Sequence, residues 1–347
     1  MCLRFLFLSA LLFTQTTVAQ TVQQPRESER QAIQEALDWV SSVRRVEAEY
    51  QYVMTASVRL LLFWVSRDDV GEGYVRRGYA EGDSNLSSIE LLIGSDPLKA
   101  PFGINKWGAA IEMTRHRSGP NTPTASAFFG FMKDTQGQTM SEMRTELAME
   151  KVAGRYFFKG ILERLDPGRS IWIAAPYFTD EDYCLRDLKR ATNSAFEQLS
   201  ISTRSLKIHA TSDGCRRLAG FLSTVLELMD ATLAGHRPPL ERCYILGKRS
   251  YSLSLTNLTF VPKENVRVYL RTSPGRLERT YSELLEAQFC ITNPSSGARY
   301  RFSLLYGAAG GMRGIPVQIR YQPHWWFKMV LNLKSTNPAI VELAAQR

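Results

Sequence analysis

From Tyr251 to Leu333 apolar side chains recur at every second position. Tyr251, Leu253 and Leu255 alternate with Ser250, Ser252 and Ser254. Val266, Val268 and Leu270 alternate with Arg267, Tyr269 and Arg271. Tyr300, Phe302, Leu304 and Tyr306 alternate with Arg299, Arg301 and Ser303, and Val317, Ile319 and Tyr321 with Gln318, Arg320 and Gln322. Trp325, Phe327, Met329, Leu331 and Leu333 end the series. A period of two is that of a strand with one buried and one wet face, the antiparallel case. Consecutive strands of this kind must curl to hide their shared apolar side. The expected fold is therefore α+β: a curved antiparallel β-sheet, either an open or half barrel or a sandwich, with helices packed on part of its apolar face.

Upstream the pattern is mixed. Residues 26–48 carry Ile33, Leu37, Val40 and Val43 at helical spacing and predict an amphipathic helix. The β-branched and aromatic run of residues 50–65 predicts one strand, closed by a turn over residues 66–73 that holds Asp68, Asp69, Gly71 and Gly73. Further strands are expected at residues 89–93, 107–113, 128–132, 156–165 and 171–177, with a hairpin turn at Asp166-Pro167-Gly168-Arg169. Helices are expected over about residues 182–199 and 215–234, the second stopped by Gly235.

Residues 1–20 read as a cleaved signal peptide. One charge, Arg4, precedes the apolar run from Phe5 to Phe13, and small residues close the segment at Thr17 and Ala19. That run is too short to span a bilayer. The remainder divides into a mixed helix and strand region, 21–240, and a basic antiparallel region, 241–347, either separate or continuous with it. The destination implied is the periplasm or the medium, and not a place in the membrane. Four cysteines remain after the leader, Cys184, Cys215, Cys243 and Cys290. An exported chain permits two disulfides among them, and chain neighbours (Cys184–Cys215 and Cys243–Cys290) are the expected pairs.

Charge is concentrated in one region. Between residues 241 and 334 there are 14 Lys and Arg against five Glu and no Asp, a balance equal to the net charge of +9 for the whole chain. A local excess of this kind suits an anionic partner. Export disfavours nucleic acid, so a lipid, a glycan or another anionic surface is expected, met by Arg267, Arg271, Arg299, Arg301 and Arg320. Trp326 is expected beside Arg320 as an exposed aromatic, with Trp325 and Phe327 in the core.

No motif assigns a reaction. The four histidines, His116, His209, His236 and His324, form no HExxH, and neither a GxSxG elbow nor a phosphate-binding loop is present. Asp68 with Asp69, Ser95 with Asp96, and the Asp180, Glu181 and Asp182 trio are the local clusters able to hold a cation or a nucleophile. Each is read as turn or helix-cap chemistry. No catalytic residue, metal ligand or cofactor is assigned. The sequence favours a non-catalytic envelope or secreted protein that binds an apolar or anionic ligand or surface. The alternatives are an exported hydrolase with dispersed catalytic residues and a structural or assembly component of the envelope.

Overall fold

The computed structural model describes residues 27–60, 63–117, 123–133, 156–167, 169–187, 190–191, 193–194, 197, 209–211, 219–247, 249–270, 275–294 and 296–336. The segment read as a signal peptide lies outside them. The described chain forms a nearly closed, antiparallel, barrel-like sheet of 14 strands with two continuous helices.

Helix α1 (Glu27–Ser41) precedes β1 (Arg44–Leu60), β2 (Phe63–Ala80), β3 (Asp83–Ser95), β4 (Trp107–His116), β5 (Pro123–Lys133), β6 (Tyr156–Asp166), β7 (Arg169–Thr179) and β8 (His209–Thr211). Helix α2 (Phe221–Leu233) follows, then β9 (Leu240–Leu246), β10 (Arg249–Leu270), β11 (Gly275–Thr292), β12 (Arg299–Gly307), β13 (Pro316–His324) and β14 (Phe327–Thr336). The spatial order runs from β8 back to β1, then from β14 back to β9. Each half is thus a meander, and β1 pairing with β14 joins both halves into one sheet. The chain crosses from one free edge to the other through α2.

The sheet has two apolar faces. Its lumen is filled from β9–β14, β1 and α2, with Tyr52, Leu228, Tyr251, Leu253, Phe289 and Tyr306 among the buried residues. The outer face of β3–β7 carries Ile111, Met113, Phe129, Phe131 and Leu162, and α1 covers it through Ile33, Ala36, Leu37 and Val40. Trp39 of α1 lies between two guanidinium groups, with Arg164 at 3.8 Å and Arg115 at 4.8 Å from its ring.

Several sequence expectations change. The first helix ends at Ser41, because Ser42 returns both its N–H and its hydroxyl to the Trp39 carbonyl. Residues 44–48 then pair with β2, and Val43 is 69% exposed. The run at 50–65 is a hairpin, since Leu60 pairs with Phe63. The turn expected at 66–73 is a bulge inside β2, with Asp69 at φ 52° absorbing the extra residues opposite Thr55. In the helix expected over 182–199, Leu185–Asp187 form a 3-10 turn, and helical residues appear from Arg190. Residues 249–270 are one strand, and β11, unread in the sequence, lies between it and β12.

The expected disulfide pairs also fail. Cys184 and Cys290 are free thiols, whereas Cys243 is disulfide-bonded. Strand β10 separates Cys243 from Cys290, with Ser252 beside one and Ser254 beside the other. Two strand spacings are about 9.6 Å, beyond the ~7 Å that a disulfide tolerates between Cα atoms.

Replacing Trp39 by Ala removes the contact that joins α1 to both arginines and opens a buried volume. A stability loss of roughly 3–5 kcal/mol is expected, measured by urea denaturation.

Candidate ligand cavity and the helix that shapes it

Helix α2 is held at both ends by charges of the sheet. Glu112 of β4 is fully buried and points into the lumen. Its Oε1 accepts the Gly220 N–H at 2.8 Å, and its Oε2 accepts those of Leu222 at 2.9 Å and Ser223 at 3.3 Å. These are orphan donors of a helix N-terminus, where the dipole is positive. Burial pushes the Glu112 carboxyl up, and the hydrogen bonds from Ser223, Gly220 and Leu222 act against that. At the other end Gly235, at φ 94°, stops the helix. Arg313 reaches over from the β12–β13 connection, donating from Nη2 to the Leu233 carbonyl at 3.0 Å and from Nη1 to the Ala308 carbonyl at 3.1 Å. Thr232 meets the Tyr306 hydroxyl at 2.6 Å.

Gly220 allows this approach. A Cβ there would sit 2.8 Å from the Glu112 carboxyl carbon, a clash at the capping group.

Between α2 and the wall lies a cavity of about 130 Å³. Val75, Arg77, Ile89 and Leu91 line one side, Phe302, Ile319 and Tyr321 another, and Phe221, Val225 and Leu226 of the helix a third. Phe221 fixes the mouth of the helix among aromatics, 5.4 Å from Tyr244 and 6.1 Å from Phe302 between ring centroids. Phe302 in turn stacks on Phe289 at 4.9 Å. The one guanidinium lining this cavity is Arg77, whose Nε is buried without a hydrogen-bond partner. Tyr50, Tyr52 and Asp230 are within its electrostatic reach.

A second lumen carboxylate, Glu163 of β6, is fully buried and accepts the Gly247 N–H at 3.0 Å. Leu165 packs on Ile245 beside it. These contacts bring the β9 edge against β6 and nearly close the barrel.

The residues expected from sequence to form an arginine face are placed differently. Arg267 pairs with Glu278 at 3.0 Å and Arg320 with Glu286 at 2.6 Å. Arg299 and Arg301 are exposed near the start of β12, and Arg271 lies outside the described residues. Trp325 is 61% exposed, whereas Trp326 packs against the lumen core, the reverse of the expectation. His324 pairs with Phe327, so both tryptophans are turn residues and strand alternation does not govern them.

The acidic clusters are occupied by cations. Buried Asp69 meets Lys99 at 2.8 Å, Asp96 is paired with Arg186, and Asp182 with Lys133. Among the described residues no three His, Cys, Asp or Glu side chains gather as a metal site. One nucleophile–base contact was missed in the sequence: Ser87 Oγ lies 2.9 Å from His116 Nε2. His116 Nδ1 is buried without a partner, and burial pushes the ring pKa down. No carboxylate orients the imidazole among the described contacts.

No family model and no curated protein matches the chain. Among solved structures it is similar to the crystal structure of a β-barrel-like protein of a domain of unknown function, DUF1849, from Brucella abortus, at 8% identity and a TM-score of 0.42, covering 85% of this chain and 99% of that one. Among the described residues no helix is long and apolar enough to cross a membrane.

Glu112→Ala strands three backbone donors and should cost about 2–4 kcal/mol. Gly220→Ala should be destabilising alone and far milder in the Glu112→Ala background, because the clash is with the carboxylate. A double-mutant cycle by denaturant titration measures the coupling.

Proposed function

We propose that this is an exported, non-catalytic binding protein that holds an amphiphile with an anionic head, the apolar part beside α2 and the head at Arg77. The observation that carries the reading is the joint presence of an apolar cavity and a buried guanidinium nitrogen without a partner. A buried polar group of this kind costs free energy until a ligand satisfies it, and a carboxylate or phosphate does so best. The volume sets the scale. An engineered cavity of ~150 Å³ holds benzene, so about 130 Å³ accepts a ring or a short acyl segment with α2 in place.

Glu112 and Glu163 are structural, because backbone N–H groups occupy both oxygens of Glu112 and Oε2 of Glu163. The Ser87–His116 contact is the observation that favours the hydrolase alternative. Release of nitrophenol from an ester that depends on both Ser87 and His116 would establish that alternative; equal background rates in wild type and Ser87→Ala are expected.

A short-chain carboxylate carrying one small fluorescent ring, matched to the cavity, is the direct probe of carriage. It should bind the purified chain with blue-shifted emission, and Arg77→Ala should weaken it by about tenfold, as loss of one charge-assisted contact implies. A methyl ester of the same probe should lose nothing on that substitution. Leu226→Trp, which fills the cavity, should block both. Binding unaffected by either substitution would place the ligand elsewhere.

A further inference from the structure

One rim of the barrel carries an aromatic and cationic surface that the cavity does not explain. The β1–β2 and β13–β14 hairpins end side by side, since Val58 of β1 pairs with Val65 on one flank and Phe327 on the other. The Arg59 N–H donates to the Trp326 carbonyl at 2.7 Å and ties the two ends together. From them Phe63 (75% exposed), Val65 (54%) and Trp325 (61%) project into solvent, with Trp64 beside them at 36%. A contiguous group of exposed large apolar residues, unlike singly scattered ones, marks an interaction site.

Cations are interleaved with these rings. Lys328 Nζ lies 4.7 Å from the Trp64 ring centroid and the Arg59 guanidinium 5.8 Å from that of Trp325. Arg59 Nε is buried and has no hydrogen-bond partner. β12 starts at this same rim, because its Phe302 pairs with Tyr321 near the end of β13, and it brings the exposed Arg299 and Arg301.

We infer that this rim docks on the surface of an anionic phospholipid bilayer, with Phe63, Trp64 and Trp325 in the interfacial zone and Arg59, Lys328, Arg299 and Arg301 on the head groups. Aromatic rings with a polar edge favour the boundary between head group and acyl chain. Arg and Lys next to them add attraction to anionic lipid that falls with salt. These residues stand at the adjoining ends of two hairpins and are open to solvent, with cations interleaved among the rings, an arrangement suited to shallow insertion at an anionic surface. The inference stands apart from the cavity: a rim can dock whether or not the lumen carries a ligand.

The test is co-sedimentation of the full chain with vesicles of phosphatidylcholine alone and with roughly 30% phosphatidylglycerol, at low and high salt. Wild type should pellet with the anionic vesicles at low salt. A Phe63→Ser, Trp64→Ser, Trp325→Ser variant should lose at least about tenfold in partitioning, and Arg59→Glu with Lys328→Glu a similar factor. Unfolding midpoints equal to wild type separate lost docking from lost folding. As a readout free of destabilisation, head-group-brominated lipid should quench wild-type tryptophan emission, less so in Trp325→Phe. Wild type that remains in the supernatant, or a triple variant that pellets as wild type does, overturns the inference. A two-chain mass in sedimentation velocity that falls to one in the triple variant also overturns it, because the rim would then join two copies.

Discussion

The architecture depends on a helix laid across the lumen and fixed by opposite charges at its ends. The chain completes β1–β8 on one side and must reach the far edge to begin β9, and α2 makes that crossing. Glu112 neutralises its donor end and Arg313 its acceptor end. The alignment of anion with N-terminus and cation with C-terminus gains electrostatic free energy at both sites. Reversing the helix would lose both. The charges therefore set direction and depth, and depth decides how much of the lumen stays open beside Phe221, Val225 and Leu226.

The same positioning explains the incomplete barrel. Two wound halves meet at β1 and β14, while the β9 edge is held by side chains against β6, two strands in from the β8 edge, through Glu163 on Gly247 and Leu165 on Ile245. Seams of that kind open at lower cost than a hydrogen-bonded ladder, since few contacts must break. An apolar ligand longer than the present cavity would enter most easily where this seam and α2 yield together.

Much of the sheet was legible because period two survives wherever one face is buried: the Tyr251, Tyr300 and Val317 series became β10, β12 and β13. Gly235 and Pro167-Gly168 marked a helix end and a hairpin for reasons of backbone chemistry. Other elements lack such signals. Leu61 and Leu62 have no turn propensity, so the β1–β2 hairpin reads as continuous. In β11, SELLEAQF favours a helix by composition, and pairing to both neighbours overrides it. Glu112 was readable only as a lone carboxylate in the otherwise apolar start of β4. Arg77 was masked by Arg76, which alternation sends to the opposite face, where Glu49 takes it at 2.6 Å. Glu112's partner Gly220 lies more than a hundred positions away in the chain, a separation that local patterning cannot bridge.

Part of the basic excess of the second half thus falls into two populations with different physical weight. Arg267 and Arg320 sit in exposed ion pairs with glutamates, and such pairs leave little net field and contribute at most about 1 kcal/mol. Arg299, Arg301 and Lys328 stand instead at one rim, joined there by Arg59 of β1, and Lys328 and Arg59 lie over exposed tryptophans. Near an anionic bilayer each is worth about 1 kcal/mol, and their reach is limited to a Debye length of ~8 Å. Four such charges alone give a weak, salt-sensitive attachment; aromatic insertion adds a short-range term that salt does not screen. The proposed docking thus needs both classes of residue at one place, and the two hairpin ends are where the fold puts them together.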